Sequence, residues 1–107
     1  MQPQGHLQVL SNMIDFGMTP QEALDCFRFR VSGAHSGGYN DDDDAVYLED
    51  GVPEDTLDGL RKKGHRVTLL KGWDRMTFGR GQIIRRSSSG VLSAGSDPRA
   101  DGHAAAI

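Results

Sequence analysis

The sequence predicts an α+β fold with mostly antiparallel strands. Two features point to it first: helical patterning at the start of the chain, and short segments of two-residue alternation beyond it. The third is a Ser-Gly turn joining two late strand segments. The expected order is helix, helix, strand, strand, helix, then strands, without a βαβ alternation and without an internal repeat.

Residues 4–16 read as the first helix. Gln8, Ser11, Asn12 and Asp15 fall at i, i+3, i+4 and i+7 and form one polar stripe. Leu7, Val9, Leu10, Met13, Ile14 and Phe16 occupy the remaining circumference, so the helix is expected to pack on more than one side. Gly17 is placed to end it with a positive φ. Thr19-Pro20-Gln21-Glu22 starts the second helix. The Thr19 hydroxyl can cap the Glu22 N–H while the Glu22 carboxylate reaches back to the Thr19 N–H. Pro20 stands at the first helical position, where a missing N–H costs nothing.

Residues 27–32 alternate, with Phe27, Phe29 and Val31 on one side and Arg28, Arg30 and Ser32 on the other, which predicts a half-buried strand. Residues 33–44 hold a glycine pair and four consecutive aspartates and predict a flexible acidic loop. Ala45–Glu49 is the next strand, with Val46 and Leu48 on one face. A third helix spans 53–63. Glu54 and Asp55 in its first turn and Arg61, Lys62 and Lys63 in its last complement the helix dipole. Gly64 follows as the C-terminal cap. Arg66–Leu70 is a strand, 72–81 a glycine-containing loop, and 81–86 with 91–94 a hairpin turning through Ser87-Ser88-Ser89-Gly90. Asp97-Pro98-Arg99 is a turn, and the tail after Asp101 is weakly specified.

A length of 107 residues allows one domain at most. No stretch approaches the roughly 18 apolar residues of a membrane helix, and the first residues do not form a secretion signal. The single Cys26 can neither close an internal disulfide nor build a zinc site, and reads as a small buried hydrophobe. The net charge of −3 hides an asymmetry. Every charge between 41 and 60 is acidic, and between 61 and 86 only Asp74 interrupts the basic ones. Charge pairing between neighbouring elements is the expected use of this pattern. Nucleic-acid binding is not expected from a chain of negative net charge.

The aspartate run fails as a calcium loop. Counting from Asn40, carboxylates fall at Asp42 and Asp44, but Ala45 takes the place of the obligatory glycine and Gly51 that of the final glutamate. His6, His35, His65 and His103 show no i, i+3 or i, i+4 pairing, and no metal site or cofactor is expected. The glycines and arginines of 72–81 are not a phosphate loop, since no Gly-Lys-Ser/Thr follows. No Ser, His and Asp set forms a nucleophile system, so the residues by themselves assign no active site.

Several segments, taken in order, resemble one family. They are Met1-Gln2-Pro3-Gln4-Gly5-His6-Leu7-Gln8-Val9-Leu10, Asp15-Phe16-Gly17-Met18, Gln21-Glu22-Ala23-Leu24-Asp25, Leu48-Glu49-Asp50-Gly51-Val52-Pro53, Phe78-Gly79-Arg80-Gly81-Gln82-Ile83-Ile84 and Ala94-Gly95-Ser96-Asp97-Pro98-Arg99-Ala100-Asp101-Gly102. Together they are similar to the C-terminal part of the small subunit of gamma-glutamyltranspeptidases. The resemblance covers nearly the whole chain and is co-linear.

It implies part of an N-terminal-nucleophile hydrolase αββα sandwich, whose precursor cleaves itself into a large and a small subunit. The new N-terminal threonine attacks the gamma-glutamyl amide of glutathione or a related compound, and the glutamyl group passes to water or an amine. Residues 1–107 would be one C-terminal portion of the small subunit. Its partners would be the rest of that subunit and the large subunit, with a gamma-glutamyl substrate in the complete enzyme. Thr19 and Thr56 belong to helices, so the family's nucleophile is expected upstream of Met1 and no catalytic residue is assigned. Met1 and Gln2 are expected to border the pocket. The chain alone is expected to be inactive; the alternative is a non-catalytic interaction module from a degenerate family member. One departure stands out: Cys26-Phe27 occupies the place of the family's Ala-Pro, which would end the second helix sharply.

Overall fold

The computed structural model describes residues 1–32 and 45–107. The acidic loop expected at 33–44 lies outside the described residues. Contacts divide the chain into two compact units. One comprises Phe27–Phe78 with Met1, the other Gln2–Cys26 and Gly79–Ile107.

In the first unit, β1 (Phe29–Val31), β2 (Ala45–Glu49) and β3 (Arg66–Leu70) form a sheet in the order β1-β2-β3. β1 runs antiparallel to β2, with Phe29 opposite Leu48 and Val31 opposite Val46. β2 and β3 are parallel, with Val46 opposite Val67 and Leu48 opposite Leu69. Parallel neighbours need a crossover, and α3 (Glu54–Lys62) supplies it. The region from Ala45 to Leu70 is therefore a βαβ unit, which the sequence reading excluded. The reading took each element correctly but had no signal for strand direction. Two of the three strand pairings in the described chain are antiparallel, and the α+β class stands.

The core of this unit joins Val46 and Leu48 of β2 to Leu57 of α3, with Val52, Leu60, Val67 and Leu69 packed around them. β2 is the central strand, and both of its faces are covered: Ala45 and Glu49 are buried as well. Gly64, at φ +89°, takes the left-handed conformation that turns the chain out of α3.

β1 is half-buried, but the buried half is the polar one. Arg28, Arg30 and Ser32 are buried, while Phe27, Phe29 and Val31 are 51%, 41% and 45% exposed. Buried arginines need partners for their charge and N–H groups. The Arg28 Nη1 donates to the Phe78 carbonyl at 3.2 Å, and the Arg30 guanidinium lies 4.5 Å over the Tyr47 ring. The Ser32 hydroxyl donates to the Ala45 carbonyl at 3.0 Å and accepts from the Ala45 N–H at 2.9 Å. Gly72–Phe78, expected as loop, is a 3₁₀ helix whose last residue, Phe78, is fully buried.

In the second unit, α1 (Gln2–Ile14) ends at Gly17, φ +67°. α2 (Pro20–Asp25) begins with the expected capping box. The Glu22 N–H donates to the Thr19 hydroxyl at 3.3 Å, and the Thr19 N–H donates to the Glu22 carboxylate at 2.8 Å. β4 (Gln82–Arg86) and β5 (Leu92–Ser96) form the expected antiparallel hairpin. α2 packs on the hairpin and α1 on α2. Pro20, Ala23 and Leu24 are buried. Gly95 of β5 lets the two backbones meet, for a Cβ there would stand 2.8 Å from the Pro20 carbonyl carbon. Gln21 fastens the contact: its side-chain amide donates to the Ser96 carbonyl at 2.9 Å and accepts from the Ser96 N–H at 3.0 Å.

Two expectations need correction here. α1 was expected to pack on more than one side, yet none of its residues is buried. Cys26 is half-buried rather than buried, with its thiol 3.4 Å from the Met18 sulfur.

Candidate functional site

Two clusters of buried charge organise the two units, and each grows from a strand end. In the first unit, Glu49 closes β2 with its side chain fully buried. One carboxylate oxygen accepts from the Arg28 N–H at 2.9 Å and the other from the Arg75 Nε–H at 3.0 Å. A single buried anion thus holds together the entry to β1, the end of β2 and the 3₁₀ helix. This is where the acidic and basic halves of the sequence meet. Arg61 adds exposed contacts to Glu54 and Asp58 within α3, each at 3.4 Å.

In the second unit, Asp97 and Arg99 are both buried. Asp97 Oδ1 accepts from the Arg99 N–H and from Arg99 Nη1, each at 3.0 Å, and Oδ2 accepts from the Gly81 N–H at 2.7 Å. The Arg99 guanidinium then reaches the end of α2, donating to the Leu24 carbonyl at 2.7 Å and the Cys26 carbonyl at 2.9 Å. These are helix-end acceptors of the kind that arginine satisfies well. The helix ends at Cys26 without the proline of the family pattern, the chain turning extended there at ψ 144°. The sequence reading had Asp97-Pro98-Arg99 only as a turn. An Asp and an Arg flanking a proline two residues apart are the signal that would have marked the pair.

Chemically, both clusters hold backbone in place. Their carboxylate oxygens already accept hydrogen bonds from arginine side chains and main-chain N–H groups, which suits a scaffold rather than a general base. Met1 is half-buried and Gln2 is exposed at the start of α1. The structure brings neither into these clusters. Thr19 is committed to its cap. Among the described residues, no group of three or more His, Cys, Asp or Glu side chains is placed to hold a metal ion. No helix among them is long and apolar enough to cross a membrane.

The mixed helix and strand of this chain is of the α+β kind, and the solved structures that it resembles are N-terminal-nucleophile hydrolases. The family model described as gamma-glutamyltranspeptidase matches residues 1–107. The chain belongs to that family. It is 31% identical over 106 residues to the glutathione hydrolase-like YwrD proenzyme of Bacillus subtilis (strain 168), covering 99% of this chain and 19% of that protein. Cephalosporin acylase from Bacillus halodurans is similar at 40% identity and a TM-score of 0.83, over 98% of this chain and 18% of that one. A mutant gamma-glutamyltranspeptidase of Helicobacter pylori is similar at 27% identity and a TM-score of 0.67, over 91% of this chain and 47% of that one. The chain thus spans about a fifth of the curated relative's length and less than half of the Helicobacter pylori chain.

Proposed function

We propose that residues 1–107 form one C-terminal portion of the small subunit of a gamma-glutamyltransferase or glutathione hydrolase. In this reading the portion supplies scaffold and not the nucleophilic threonine. The complete enzyme transfers or hydrolyses the gamma-glutamyl group of glutathione or a related amide. The chain's partners are the remainder of the small subunit and the large subunit, and Met1 and Gln2 border the substrate pocket. One observation carries the reading: the family match runs along all 107 residues, while those residues span only 19% of the proenzyme relative. The buried charge supports it, because Glu49, Asp97 and Arg99 bind strand and helix ends.

The test is turnover of a gamma-glutamyl anilide by the purified chain, with and without the complementary polypeptide of a relative. The expected result is no release of anilide by the chain alone and release on reconstitution. Anilide release by the chain alone would overturn the reading.

A further inference from the structure

α1 is unusual for an exposed helix. Over 13 residues it carries no Asp, Glu, Lys or Arg. A helix that faces water on a folded protein ordinarily shows a charged or strongly polar outer face. α1 instead shows water a ridge of Leu7, Leu10 and Ile14, which are 69%, 54% and 75% exposed. Their i, i+3, i+7 spacing places them on one face. Its half-buried positions include Val9, Asn12 and Met13, so α1 has one partly covered side and one apolar side that nothing in the described chain covers. Depletion of charge around large apolar side chains is the compositional mark of the centre of a protein interface.

We infer that the ridge of Leu7, Leu10 and Ile14 is the surface by which this chain docks on the remaining polypeptide of its enzyme. The inference rests on the reading of the chain as one portion of a larger family member. The relatives show how much polypeptide is available as occupant, since the chain spans 18% of the acylase and 19% of the proenzyme. The occupant's chemistry follows from the ridge: an apolar groove or helix face, without a charge opposite α1, because α1 has none to pair with it. A membrane surface fits less well. Helices that lie on anionic lipid carry Lys or Arg on the polar face, and α1 has neither.

The experiment co-expresses the 107-residue chain with a tagged polypeptide comprising the rest of the Bacillus halodurans acylase, and measures recovery of the chain on the tag. Leu10→Glu tests the ridge and Leu10→Met is the conservative variant. Circular dichroism of each chain alone checks that helix content is unchanged, as expected for a half-exposed position. Light scattering gives its oligomeric state. Wild type and Leu10→Met are expected to co-purify equally, and Leu10→Glu to be recovered at least about tenfold less, the factor conferred by 1.4 kcal/mol. Equal recovery of Leu10→Glu and wild type would overturn the inference and leave the reading of the chain intact. Failure of the wild-type chain to assemble would overturn both. A chain that dimerises alone through the ridge, with assembly indifferent to Leu10→Glu, would make a second copy the occupant and overturn the inference.

Discussion

Asp97 and Arg99, two residues apart, form an ion pair at 3.0 Å from which water is almost wholly excluded. Removing one member of such a pair strands the other's charge in a poorly solvated site, which costs about 3–5 kcal/mol. Asp97→Ala is therefore expected to lower the stability of the chain by that amount in urea denaturation. Arg99→Lys keeps the charge but cannot reach the Leu24 and Cys26 carbonyls with a planar fork. It is expected to lose about 1.5–3 kcal/mol, the range for hydrogen bonds to a charged donor.

Glu49 and Arg75 form a second pair, with an asymmetry that separates their substitutions. The Glu49 side chain is fully buried, whereas that of Arg75 is 36% exposed. An arginine left alone at such a site can turn to water. Glu49→Gln presents an amide N–H₂ towards the Arg28 N–H or towards Arg75, placing donor against donor. It is expected to cost about 1–3 kcal/mol, the penalty for an unmatched buried polar group. Arg75→Gln is expected to cost more, about 3–5 kcal/mol, because it takes the Arg75 cation from a carboxylate that cannot turn to water, and a double-mutant cycle in urea reads the coupling between the two.

Gly95→Ala tests the close approach of α2 to β5. The new methyl would lie 2.8–2.9 Å from backbone atoms of Pro20 and Gln21, and backbone cannot swing aside as a side-chain tip can. Overpacking of this kind costs about 1–3 kcal/mol. The melting temperature is expected to fall, and nuclear magnetic resonance shifts of the Gln21 side-chain amide should move as its bonds to Ser96 lengthen.

The capping box makes a prediction about pH. The Thr19 N–H, and secondarily the Thr19 hydroxyl, hold the Glu22 carboxyl below the ordinary value of 4.5. A carboxylate depressed in the folded state contributes stability that is fully present above its unfolded pKa. That contribution fades as pH falls from about 4.5 through the lowered value. Glu22→Gln keeps an acceptor for the Thr19 N–H but does not titrate. Melting temperatures measured from neutral pH downwards are expected to fall more steeply for wild type than for Glu22→Gln below that point. Parallel curves would show that the cap does not sense pH.

Much of this architecture was legible in the residues, and what escaped has a common cause. The cap at Thr19, the strands at Ala45–Glu49 and Arg66–Leu70 and the Ser-Gly hairpin turn all depend on neighbours in sequence. The alternation of β1 was also plain, but which side turns inward depends on Phe78, 50 residues away from Arg28, and on the Tyr47 ring across the sheet. The parallel course of β2 and β3 is likewise a tertiary fact. The buried pairs were missed because a pattern sees charge as exposed. Burial becomes acceptable only when distant acceptors are present, and the Leu24 carbonyl lies 75 residues from Arg99. The apolar circumference of α1 was also plain, but the expected packing on more than one side is not met among the described residues, where none of its side chains is buried.

The reach of Arg99 also orders events during synthesis. A ribosome adding about 5–20 residues per second makes α2 early and arrives at Arg99 only some seconds later. Until then, the Leu24 and Cys26 carbonyls have only solvent to serve them, and Gly81 has no carboxylate to receive its N–H. The helix-and-hairpin unit is therefore a late-closing one. A nascent chain stalled in the β4–β5 turn would leave the end of α2 without the arginine that serves its last carbonyls.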